Sequence, residues 1–267
     1  MSGRAIVVTS GKGGVGKTTA TANIGLGLAR HDRKVVMIDG DIGLRNLDLI
    51  MGLENRIVYH LLDVVRGRCQ ARQALIKDKR FPNLSLLPAS QVDQKEDISP
   101  EQMRDITAQL KEEFDFVLID CPAGIEQGFR NAIAGADEAI LITTPEVSPV
   151  RDADRVIGLV QQKVGDPKLI INRMNPEMVK REQMLNQDDV LEILAVPLLG
   201  IVPEDDEVVV AGNCGSPVVL NERSQSGRAY GRIVRRILGE DVPIPELNGY
   251  GGFIHRIGNL FVRRLAL

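Results

Sequence analysis

Residues 11–18 read Gly11-Lys12-Gly13-Gly14-Val15-Gly16-Lys17-Thr18, with Thr19 directly after. This is the spacing G-x-x-x-x-G-K-[ST], in which glycines let backbone N–H groups turn inward around a phosphate. Lys17 would reach the β- and γ-phosphates of a bound nucleotide, and the Thr18 hydroxyl would ligate Mg²⁺. Acids stand at two further points. Val35-Val36-Met37-Ile38 runs into Asp39-Gly40-Asp41, and Phe116-Val117-Leu118-Ile119 runs into Asp120. Four apolar residues followed by Asp is an arrangement that holds a magnesium-bound water near a γ-phosphate. Two such acids beside a phosphate loop speak for nucleotide chemistry more strongly than either would alone.

These groups must be positioned by strands. Short apolar runs recur at Ala5–Thr9, Val35–Ile38, Leu84–Leu87, Phe116–Ile119, Ala139–Thr143, Leu169–Ile171 and Leu198–Val202. They are continuous rather than alternating, as in strands covered on both faces. Helical segments at Ala20–Arg30, Pro100–Glu113, Val150–Gln162 and Asp188–Leu194 imply right-handed crossovers. Ser99-Pro100-Glu101-Gln102 carries a helix-start signature. The expected architecture is α/β, a doubly wound and mostly parallel sheet in one domain over 1–238. Ligands of such sheets bind at the carboxyl ends of the strands, where the acids lie. A Pro- and Gly-rich stretch over 239–252 reads as a flexible linker, followed by a separate segment, 253–267.

Composition narrows the class. The chain has 267 residues, 43% of them hydrophobic, and a formal net charge of −3, which implies no broadly basic nucleic-acid surface. Cys69, Cys121 and Cys214 are far apart and form no C-x-x-C pair, so neither a disulfide framework nor a zinc site is expected. The start of the chain shows no secretion signal, and nowhere is there an apolar run of about 18 residues. The expectation is a cytoplasmic protein.

Lys12 sits early in the loop, where a generic phosphate loop needs no charge. The form KGGVGKTT resembles the deviant Walker A group of P-loop ATPases, the MinD/ParA family, whose sheet is of the SIMIBI type. The loop Asp39-Gly40-Asp41-Ile42-Gly43-Leu44-Arg45-Asn46-Leu47-Asp48 sharpens the likeness toward the division-site branch of that family. Asp120-Cys121-Pro122-Ala123-Gly124-Ile125-Glu126 and Pro145-Glu146-Val147-Ser148-Pro149-Val150-Arg151-Asp152 do the same. The resemblance implies a homodimer sandwiching ATP, with Lys12 reaching the partner's nucleotide. It implies that Asp41 orients or activates the attacking water and that Asp120 supports Mg²⁺, with Asp39 sharing the metal role. It places the adenine near Asn172 and Pro203, although both also read as ordinary strand-end residues. Arg45, Asn46, Glu146, Ser148 and Asp152 are the implied contacts for protein partners. Those partners would be a MinC-like division inhibitor and a MinE-like or other topological regulator. Cys121, where relatives often carry serine, reads as a small packing residue.

At about 100° per residue, Phe253, Ile254, Ile257, Leu260, Phe261 and Leu265 fall on one helical face. Arg256 and Arg263 fall opposite, and Arg264 falls inside the apolar sector and would have to snorkel. A short, basic, aromatic-bearing amphipathic helix suits an anionic membrane surface. One such helix binds weakly, and two brought together by a dimer gain avidity. The expected function is a Mg²⁺-dependent ATP hydrolase with a slow basal rate, activated by dimerisation and a partner. It would attach to the cytoplasmic face of the inner membrane in the ATP state and control septum placement. The alternative is a DNA-partitioning ATPase of the ParA type. An iron–sulfur carrier would need paired cysteines that the spacing does not supply.

Overall fold

The computed structural model describes residues 2–245. Among these, eight strands form one sheet: β1 (Arg4–Thr9), β2 (Val35–Asp39), β3 (Ile76–Lys77), β4 (Leu84–Leu87), β5 (Phe116–Asp120), β6 (Glu138–Thr143), β7 (Lys168–Met174) and β8 (Leu198–Pro203). Their order is β3-β4-β2-β5-β1-β6-β7-β8. Every pairing is parallel except β3 with β4, which runs antiparallel at the edge.

The continuous apolar runs have the cause expected of them, since helices cover both faces. In β1, Ala5 and Val7 enter one core while Ile6 and Val8 enter the other. The first core takes Met103 and Ile106 from the helix Pro100–Lys111 and Val150, Ala153 and Val156 from the helix Val147–Gln161. The second takes Ile24 and Leu28 from the helix Lys17–Arg30 and Tyr230, Ile233 and Val234 from the helix Gln225–Ile237. Each fully buried Leu or Ile contributes about 1.5–3 kcal/mol. Ser99 caps its helix as its sequence announces, accepting from the backbone N–H of Gln102 while the Gln102 side chain returns to Ser99 N at 2.8 Å.

Several elements escape the sequence pattern, among them an edge strand and a long helix. The edge strand β3 is only two residues long, too short for any period. The helix Gln225–Ile237 hides among four arginines (Arg228, Arg232, Arg235 and Arg236) although its other face is buried.

Residues 239–245, the first part of the stretch expected as a linker, lie along the body. The Arg236 guanidinium donates to the carbonyls of Leu199 (2.9 Å), Val242 (2.7 Å) and Pro243 (2.6 Å). Ile244 packs against the first core. The amphipathic segment 253–267, with Phe253, Ile254, Arg256, Ile257, Leu260, Phe261, Arg263 and Leu265, lies outside the described residues, as does the remainder of the linker. No described helix is long and apolar enough to cross a membrane.

Candidate functional site

The sheet brings the chemistry-bearing residues to one edge. β1 is central, flanked by β5 and β6, and delivers the loop 11–18 from its carboxyl end. β5 lies between β1 and β2, so Asp120 has Val8 as register partner on one side and Asp39 on the other. The loop wraps tightly. Gly16 holds φ +99°, a left-handed angle that glycine takes without strain. A Cβ on Gly11 would stand 2.2 Å from the backbone carbonyl carbon of Asp152, so only glycine allows the loop to meet the helix Val147–Gln161.

The helix Lys17–Arg30 begins inside the motif, with Gly16 as its N-cap and no side chain capping it. Its first N–H groups are thus free to meet an anion, with the positive end of the helix dipole behind them. Lys17 is buried and donates to the Ser10 hydroxyl at 3.0 Å, which in turn donates to the carbonyl of Lys12 at 2.7 Å. Gly13, Gly14 and Val15 complete the loop, and the Val15 carbonyl accepts from Asn172 Nδ2 at 2.7 Å. Asn172, buried at the end of β7, thereby braces the loop from below. Pro203 ends β8, and its carbonyl accepts from the Ser226 hydroxyl at 2.9 Å. Just beyond it, a cavity of ≈ 550 Å³ is lined by Glu204, Asp205, Asn221, Ser224 and Gln225 among others.

The acids differ in what holds them. Asp120 is buried and accepts hydrogen bonds from the hydroxyls of Thr18 and Thr21, the latter at 3.2 Å. Burial raises its carboxyl above the ordinary range, despite those bonds and the nearby Lys17 ammonium. Asp39 is raised too, by burial and then by the charge of Asp120. Its oxygens accept from the backbone N–H of Asp41 (3.0 Å) and Leu47 (3.2 Å), so it ties down the loop 39–47. Two desolvated carboxylates side by side call for a cation. The neighbouring donors are hard oxygens, carboxylate and hydroxyl, which suits Mg²⁺. Among the described residues no group of three or more His, Cys, Asp or Glu could hold a metal. That fits an ion taking one or two protein oxygens and completing its shell from phosphate and water. Asp41 stands at the rim, its Oδ1 3.3 Å from Lys95 Nζ.

Lys12 lies across the loop mouth and donates to the Ser148 hydroxyl at 3.1 Å. Of the implied partner contacts, Ser148 and Asp152 therefore meet the loop directly. Glu146 is exposed next to them, its carboxylate accepting from the Thr144 hydroxyl. Arg45 and Asn46 lie in the loop after β2, on the other flank of β1. Arg45 takes φ +48° and pairs with the buried Asp48 at 3.0 Å. A non-glycine residue held left-handed beside a site marks a loop whose shape is imposed by its surroundings.

Cys121 is buried, and burial pushes its thiol up to about 12, which suits the packing role read from the sequence. Cys69, Cys121 and Cys214 are all free. Sequence reasoning missed Ser10, Thr21 and Lys95. Thr21 is one helical turn after Lys17 on the face toward the sheet, a spacing that could have found it. Lys95 carries no local signal, since only the tertiary fold brings it to Asp41.

The model of the CobQ/CobB/MinD/ParA nucleotide binding domain matches residues 6–218. The septum site-determining protein MinD of Synechocystis sp. is 57% identical over 242 residues, covering 90% of this chain and 91% of the relative. The MinD of the Aquifex aeolicus MinC:MinD cell division protein complex superposes with a TM-score of 0.82 at 47% identity. That match covers 91% of this chain and 98% of the other. The Pyrococcus horikoshii septum site-determining protein MinD, complexed with Mg-ADP, gives 0.79 at 32%, over 90% and 99%. The glycine-wrapped loop with two lysines, the paired strand-end acids and this extent of likeness place the chain in the MinD/ParA family of nucleotide-binding proteins, in its MinD branch.

Proposed function

We propose that this chain is an ATPase that switches between a free and a membrane-attached state and positions the division septum. The observation that carries the reading is the juxtaposition of Lys17, Thr18 and Asp120 at a loop whose second lysine, Lys12, points across its mouth. ATP lies in the loop with its phosphates on the N–H groups of residues 13–18. Lys17 leaves Ser10 for the β- and γ-phosphates. Thr18 and Asp120, with Asp39 beside them, hold Mg²⁺, which when bound offsets the charge of the phosphates. Asn172 and Pro203 border the base.

In the dimer, Lys12 leaves Ser148 and reaches the partner's nucleotide. Asp41 orients a water whose oxygen bonds to the γ-phosphorus as the bond from phosphorus to the β–γ bridging oxygen breaks. ADP departs with that oxygen, and the water's proton passes to Asp41 or to solvent. Segment 253–267 attaches the dimer to the anionic cytoplasmic face of the membrane, and hydrolysis releases it. Arg45, Asn46, Glu146, Ser148 and Asp152 present a surface to a MinC-like inhibitor and a MinE-like or other topological regulator. The named MinC:MinD complex and the Mg-ADP complex of relatives support the partner and the nucleotide.

The test is co-sedimentation with anionic vesicles in ATP, ADP or no nucleotide, using the full chain and a chain ending at Gly252. ATP-dependent pelleting that truncation abolishes is the expected result. Pelleting indifferent to nucleotide would leave a constitutive anchor without a switch. Absence of pelleting, with salt-sensitive DNA binding in ATP, would instead favour a partitioning ATPase.

A further inference from the structure

The strand-end acids are three, Asp39, Asp41 and Asp120, and the loop cation Lys17 faces Asp120. Asp41 meets a different cation from a different part of the chain. Lys95 Nζ lies 3.3 Å from Asp41 Oδ1, bridging 54 positions of sequence (95 − 41). Oδ1 is buried yet makes no hydrogen bond, so charge alone holds it, without a directed bond. A contact of that kind yields readily to a water or a better-placed donor.

Lys95 itself is well placed. Its carbonyl accepts from the buried Asn131 Nδ2 at 3.1 Å, and Asn131 also bonds the carbonyl of Ile98 at 2.9 Å. Its stem runs beside Gly128, where a Cβ would stand 3.2 Å from Lys95 Cδ. Gly128 lies in the first turn of the helix Gln127–Ala134, which follows directly on the loop 120–126. Two acids of its own segment, Asp93 and Asp97, are engaged by Arg66 at 2.7 and 3.4 Å, while the Lys95 ammonium pairs with Asp41. On the other side, Gly43 N donates to the Ser90 carbonyl at 2.8 Å, so the loop after β2 rests on the same segment. Lys95 therefore joins the loop after β2 to the helix that follows the loop 120–126, and a movement of either one changes its distance to Asp41.

We propose that Lys95 is a positioning residue that restrains Asp41 in the undimerised chain and keeps basal hydrolysis slow. Resting on the ATPase reading above, it assigns the low basal rate to a named ion pair. The ammonium draws the carboxylate toward the segment 90–97 and offsets its charge, so Asp41 is a poor partner for water. Rearrangement of either loop on dimerisation or regulator binding parts the pair and frees Asp41 to face the nucleotide.

The experiment measures phosphate release from ATP and Mg²⁺ by the full chain, without and with anionic vesicles and regulator. Lys95→Met removes the charge and keeps the stem, Lys95→Gln keeps a polar end, and Lys95→Arg keeps the charge. The expected result is a basal kcat raised about three- to fivefold in both neutral variants, the scale set by one partly exposed pair. The KM for ATP stays within about twofold, because a restraint on the carboxylate leaves uniform binding alone. The stimulation by vesicles and regulator shrinks by the same factor as the basal rate rises, and Lys95→Arg matches the parent chain. A basal kcat unchanged or lowered in both neutral variants overturns the restraint, as does Lys95→Arg behaving like Lys95→Met. A parent chain that releases no phosphate under any of these conditions overturns the ATPase reading and the restraint with it. A merely structural Lys95 would lower the melting temperature without raising kcat, and that outcome also overturns it.

Discussion

Asp39 and Asp120 stand side by side in register across β2 and β5, both buried; burial raises both carboxyls above the ordinary 3.8, and the charge of Asp120 raises Asp39 further. The sheet therefore stores a repulsion that a bound cation relieves. Nucleotide chemistry at this edge and the stability of the empty chain are linked through the same two groups.

That linkage has a sign. A carboxyl raised in the folded state binds its proton there more tightly than in the unfolded chain. Stability is highest at low pH and is lost as pH rises from about 3.8 through the raised folded values. Asp120→Asn, which removes one charge and keeps an oxygen for Thr21, should stabilise the nucleotide-free chain. The gain should be about 1 kcal/mol, one pKa unit of relieved burial of charge and repulsion of Asp39. Thermal unfolding at pH 8 should show a larger gain than at pH 5, and ATP turnover should vanish. Equal gains at the two pH values would mean that the buried charge of Asp120 is not the cause.

Gly11 is fixed by the backbone of Asp152. Gly11→Ala puts a methyl group against a carbonyl that cannot swing aside, so loop and helix must separate, at about 1–3 kcal/mol. Titration with a fluorescent ADP analogue should show weakened binding together with a lowered melting temperature. Binding at the parent affinity would show that the loop absorbs the methyl without cost to its shape.

Asn172 bears on the nucleotide through Val15. Asn172→Ala leaves the Val15 carbonyl without its partner, a loss of about 1–3 kcal/mol for a buried group. ATP affinity should fall while the far-ultraviolet circular dichroism spectrum stays the same. If affinity is indifferent to this change, the brace is dispensable.

Lys12 separates binding from assembly. Lys12→Ala removes a side chain parked on Ser148 and should leave ADP affinity within about twofold, since Lys17 and the loop N–H groups remain. ATP-dependent dimerisation, followed by light scattering, should be lost. A dimer that persists in this variant would remove Lys12 from the interface.

The site was legible in the sequence wherever chemistry and local structure coincide. The loop 11–18 is a contiguous motif, Asp39 and Asp120 each follow an apolar run, and Asp41 stands two residues beyond the first, so the strand runs alone brought them to one edge. The strands were legible because residues such as Ile6 and Val7 are buried on opposite faces and leave no polar interruption. What stayed hidden depends on distant pairing. Lys95 meets Asp41 only through the fold, and Asn172 reaches the Val15 carbonyl across 157 positions. The helix Gln225–Ile237 was obscured because its arginines mask an apolar face seen only once Tyr230 and Ile233 are packed.

The grip of Arg236 on the carbonyls of Val242 and Pro243 sets a leash length. Chain that would otherwise run free from Gly239 is held to the body as far as Pro243, with Ile244 packed behind it. Seven residues, 246–252, then separate the last described position from the start of the segment expected to be amphipathic. At about 3.3–3.6 Å per residue, the eight steps from 245 to 253 span at most about 29 Å. On the membrane attachment proposed above, a body tethered so closely would travel with the surface its tail meets. Arg236→Ala would pay out about 20 Å more cord on the same measure, diluting each tail in the volume it explores.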